Sequence, residues 1–135
     1  MTHAFAQLVE RELAAWRRDL AGLHGARDVA MATAVLAEVL DPADPEERFR
    51  QLALWELYLQ AGRDPMLRSI AEAWSDGCTA ITAELLQDLA VPPEAARLLM
   101  LALEGVLLHN LVEQRTDSRA FTAQAVRTLL DAARR

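Results

Sequence analysis

The sequence predicts an all-α fold, a single domain of about six helices, on three observations. Apolar residues recur at three- and four-residue spacing through most of the chain. The breaks between these stretches carry Gly or Asp-Pro punctuation of the kind that stops and starts helices. No alternating run of β-branched residues and no Asn-Gly turn competes. Composition agrees. With 53% hydrophobic and 25% charged residues, five Gly and five Pro, the chain is neither disordered nor collagenous, and its 135 residues suit one core.

The first helix opens near His3, with Phe5, Leu8, Val9, Leu13, Trp16 and Leu20 at helical spacing, and ends at the break Gly22–Gly25. A second is expected from about Ala26 to Leu40, before Asp41-Pro42-Ala43-Asp44-Pro45. Asp44 is a good N-cap, Pro45 suits the first helical position, and Glu47 stands where a capping box places its acid. This third helix runs to Gly62, and Asp64-Pro65 repeats the same start for a fourth. The fourth is expected to reach about Leu89, with Gly77 as its weakest interior point. Val91-Pro92-Pro93-Glu94 opens a fifth helix, and Thr116-Asp117-Ser118 separates it from the last.

The faces are uneven. Nearly every position between Leu98 and Val112 is apolar, and a helix apolar all round must be covered all round. Ala102 and Gly105 would let another helix come close. The last helix adds Phe121, Ala125, Val126, Leu129, Leu130 and Ala133 as a wide stripe. Together these suggest a helical dimer interface, with Leu101, Ala102, Gly105, Leu108, Val112, Phe121, Val126, Leu129 and Leu130 as its candidate residues. The plainer alternative is that both helices serve a monomeric core.

Catalytic patterns are thin. His3, His24 and His109 fall on different predicted elements without metal-ligand spacing, so neither a metal nor a cofactor is expected. There is no phosphate loop and no nucleophile elbow, and the lone Cys78 has no neighbour in sequence that would activate it. What remains is a set of aromatic and polar residues within apolar helices: Trp55, Glu56, Tyr58, Trp74, Cys78, Met100 and His109. Trp and Tyr join a large apolar body to one polar tip, which suits a pocket for a flat or greasy small molecule. Glu104 raises the same question inside its apolar stretch, with Arg97 two turns earlier favouring a surface ion pair. An enzyme would need a convergent pair such as Glu56 with His109.

No segment approaches the roughly 18 unbroken apolar residues of a membrane span, and the N-terminus lacks the pattern of a secretory signal, so a cytoplasmic address is expected. The net charge of −6 gives no electropositive footprint for nucleic acid.

The stretch Leu54-Trp55-Glu56-Leu57-Tyr58-Leu59-Gln60-Ala61-Gly62-Arg63-Asp64-Pro65-Met66-Leu67-Arg68 resembles a helix junction of the TetR family of transcriptional regulators, where an aromatic-rich helix ends in an Arg-Asp-Pro turn. Leu101-Ala102-Leu103-Glu104-Gly105-Val106-Leu107-Leu108 resembles a later helix of that family. Ala4–Leu13 resembles the helix that follows its DNA-binding unit. The resemblance covers essentially the whole chain in the right order. It implies a regulatory domain in which the first four helices surround an effector pocket. The last two, Pro93–Gln114 and Ser118–Ala133, would pair with a second copy as a four-helix bundle. Nothing here resembles the family's helix-turn-helix unit, so direct DNA binding by this chain is not expected. The implied partners are a small-molecule effector, a second copy, or an intact relative held in a half-equipped dimer. The competing reading is a small helical protein-interaction module without a small-molecule ligand.

Overall fold

The computed structural model describes residues 2–23 and 28–135, and these form six α-helices with no strand. In chain order they are α1 (Thr2–Asp19), α2 (Val29–Leu40), α3 (Pro45–Gln60), α4 (Pro65–Leu85), α5 (Ala96–Glu113) and α6 (Ser118–Ala133). Short 3-10 turns cover Leu20–Leu23, Gln87–Leu89 and Pro93–Ala95. The fold is therefore all-α with the expected helix order. The predicted start of the second helix at Ala26 lies outside the described residues. Within them, the Asp28 side chain caps α2 by accepting from the Met31 N–H.

Asp44 and Asp64 cap α3 and α4, each accepting from the backbone N–H two residues on, with proline in the first turn of both helices. The capping box is only half formed. Glu47, instead of reaching back to Asp44, pairs with Arg50 and accepts a hydrogen bond from Gln51. The fourth helix stops at Leu85 rather than Leu89, because the chain tightens into a 3-10 turn that Ala90 closes in the left-handed conformation, at φ 58°. Gln114, at φ 48°, ends α5 in the same way.

Gly77 is also a packing residue. A Cβ there would lie 2.7 Å from Leu13 Cδ1, so its absence lets α1 close on α4. Trp16 and Trp74 meet edge to face nearby, with ring centroids 5.9 Å apart. Helix α5 is central and packs against α2, α3, α4 and α6. By length and composition Pro93–Glu113 could cross a membrane, yet it carries Arg97 and Glu104 and half of it is buried among its neighbours, as in the core helix of a folded domain.

Polar side chains fix how the last helices sit. Asn110 Nδ2 donates to Leu40 O and to Thr122 Oγ1, both at 2.8 Å, joining α2, α5 and α6 inside the core. Arg48 Nη2 donates to Asn110 O (2.9 Å) and Leu111 O (3.1 Å), satisfying carbonyls in the last turn of α5.

Candidate functional site

Helix α5 has two distinct faces, and its sequence explains both. Its buried positions, Leu99, Met100, Leu103, Glu104, Leu107, Asn110 and Leu111, point into the bundle. The opposite face carries Leu98, Leu101, Gly105, Leu108 and Val112, in alternating steps of three and four as in a coiled-coil seam. Leu98, Leu101 and Val112 are 74%, 47% and 63% exposed. Leu108 and Ala102 are half-buried. A Cβ on Gly105 would meet nothing within 4 Å, so this face lies open along the middle of the helix.

Helix α6 divides its wide apolar stripe between two directions. Phe121 is exposed and Leu129 half-buried. Val126 and Leu130, expected at the interface, are completely buried in the chain's own core. They share a helix face with the buried Thr122, whose hydroxyl is fixed by Asn110, and this face is needed to cover the chain's own core. Leu98, Ala102 and Leu129 line an apolar groove of about 340 Å³ between α5 and α6.

The seven candidate ligand residues are not gathered into one pocket. Met100 lines an apolar seam between α1, α2, α4 and α5, whose walls also include Trp16, Val39, Thr82 and Leu103. The seam holds about 20 Å³ of free space, room for about one water molecule. Trp74 and Cys78 are buried on α4. Trp55 packs edge to face on Tyr58 at 5.4 Å, and the Tyr58 hydroxyl lies 3.4 Å from Ser75 Oγ. Glu56 is exposed, because its position on α3 faces away from α4 and α5. His109 belongs to the outer side of α5, with Nδ1 2.6 Å from Glu113 Oε2 and its ring beside Phe121. The convergence of Glu56 with His109 that an acid–base pair would need is absent.

Glu104 does not make the surface ion pair suggested by Arg97. It shares the inward phase of Met100, Leu107 and Leu111, and its partner is the Cys78 thiol across the α4–α5 contact. Burial raises its pKa to about 7, while the hydrogen bond with Cys78 pulls the other way. Burial likewise pushes the Cys78 thiol far above its ordinary range, with the Glu104 charge and hydrogen bond adding to the rise. A thiol held protonated is a poor nucleophile.

Two buried polar atoms here lack partners, Glu104 Oε1 and Trp55 Nε1. Helix α3 runs antiparallel to α5, since Arg48 reaches Asn110 while Tyr58 and Ala61 share a groove with Arg97. Trp55 therefore lies at the level of the middle turns of α5, where Glu104 is. Sequence reading missed Trp16 and Leu103 as walls of the seam, because their helical apolar spacing makes each look like ordinary core.

No group of metal-ligating side chains forms among the described residues. Residues 27–132 match the family described as tetracyclin repressor-like, C-terminal domain. No curated protein and no solved structure matches the chain. The match spans α2 to α6 and so includes the two-faced α5 and the Asp64-Pro65 turn. The chain therefore belongs to the tetracyclin repressor-like C-terminal domain family.

Proposed function

We propose that this chain is the effector-sensing and dimerising part of a TetR-like regulator, with a small, largely apolar or aromatic effector and a second copy of the chain as partner. The two-sidedness of α5 carries the reading. Its inner face buries Glu104 and supplies Met100 and Leu103 to the narrow seam behind Trp16, while its outer face carries the open Leu98–Val112 stripe. One rigid helix thus links an effector contact to a partner contact, as a population shift between two arrangements requires. An intact family member with a matching stripe is a second partner of the same chemistry.

The chemistry favours binding over turnover. Cys78 is held as a thiol, and Glu104 has no base or nucleophile placed to use its proton. The net charge of −6 speaks against direct contact with DNA, and a cytoplasmic address fits an internal sensor.

The effector half of the reading is tested with N-phenyl-1-naphthylamine, a neutral apolar fluorophore. We expect saturable binding at about one probe per chain, with quenching of Trp16 and Trp74 emission. Emission that rises without saturating, or no binding up to the solubility limit, would contradict it.

A further inference from the structure

A cleft of about 390 Å³ opens between α1, α2 and α3, within the size range of small-molecule sites. The Asp19, Glu38 and Glu47 side chains line it, and no basic residue does so among the described residues. Arg50 pairs with Glu47, and its Nε is 3.8 Å from Glu12 Oε1.

Gln51 also lines the cleft and is 2% exposed. Its Nε2 donates to Glu12 Oε2 at 2.8 Å and to Glu47 Oε1 at 3.1 Å. Those two bonds orient the amide, and the buried Oε1 is left with no donor. An unused acceptor among carboxylates is completed by a ligand that is both positively charged and a hydrogen-bond donor. The carboxylates also crowd one another. Burial and then Glu47 push Glu12 above the ordinary carboxylate range, Arg50 opposes them, and Asp19 adds a smaller rise.

The cleft does not end at its polar wall. Trp16 and Val39 line both this cleft and the apolar seam that holds Met100 and Leu103. A charged outer compartment and an apolar inner one therefore share a partition of two side chains. We propose that the cleft takes an amphipathic organic cation, a protonated amine on an apolar or aromatic body, with its head among the carboxylates and its body along Trp16, Val35 and Val39. The assignment rests on the effector-domain reading and names the ligand class of that site.

Three probes with one body and different heads test it by calorimetry: 4-phenylbutylammonium, 4-phenylbutanol and 4-phenylbutyrate. The ammonium should bind about tenfold tighter than the alcohol, and the carboxylate weakest. The exposed double substitution Asp19→Asn with Glu38→Gln leaves the core intact. It should remove most of the ammonium's advantage over the alcohol, with the ammonium losing far more affinity than the alcohol.

Equal affinity for the ammonium and the alcohol overturns the proposal, as does an ammonium affinity untouched by the double substitution. If none of the three binds while N-phenyl-1-naphthylamine does, the cation site falls and the effector domain stands. If the fluorophore fails as well, both fall.

Discussion

Asn110 shows how much one side chain decides in this fold. A single amide nitrogen holds the end of α2 and the first turns of α6 to α5, through Leu40 O and Thr122 Oγ1. Asn110→Ala strands both partners in the core, and urea unfolding should show a loss of about 2 kcal/mol. Glu104 has the opposite character, since its burial works against its charge. Its native pKa of about 7 lies above the ordinary 4.5, so the folded state holds a proton that the unfolded state releases. The corresponding stability is fully present below about pH 4.5 and is lost as pH rises toward 7. Glu104→Gln should flatten that slope. The variant should be the more stable protein at pH 8, by up to about 3 kcal/mol, with no such advantage near pH 4.5, in urea melts across the range. Glu104 stood out in sequence as an acid in an apolar run, yet its direction did not. The choice between Arg97 and Cys78 depended on how α5 is rotated against α4.

At the scale of elements, α1 closes on α4 through Gly77, and here local propensity and packing pull apart. Glycine weakens an isolated helix, but a side chain at this point meets Leu13. Gly77→Val should push the end of the Leu13 side chain aside and lower stability by about 1 kcal/mol, measurable as a small fall in Tm. Much of the element order was legible from Asp44-Pro45 and Asp64-Pro65, because a cap and a proline act within a few residues. The end of α4 was not legible. Leu86 and Leu89 continue an apolar pattern while the backbone has already tightened. The stripe on α6 was seen but not its division, since the period alone does not say which half turns inward. Val126 and Leu130 go to the core, whereas Phe121 stays exposed at 44%. The candidate ligand set was less legible still, because its members share residue types with ordinary core and only tertiary placement separates Met100 from Glu56.

For the whole molecule, the outer face of α5 is the feature that a solitary chain leaves unexplained. Leu98, Leu101, Gly105, Leu108 and Val112 form a seam with the spacing of a helix–helix contact, and the nearby groove between α5 and α6 continues it. The proposed dimer covers this face with a second copy of the chain, and the proposed effector contact lies on the other side of the same helix. The most direct measurement is the mass in solution by multi-angle light scattering at micromolar concentration, for the natural sequence and for Leu101→Glu with Gly105→Leu. Leu101 is 47% exposed and a Cβ at Gly105 meets open space, so a folded variant is expected, which circular dichroism checks. The account predicts a dimer for the natural sequence and a folded monomer for the variant. A natural chain that runs as a monomer, or a dimer that survives both substitutions, would contradict it.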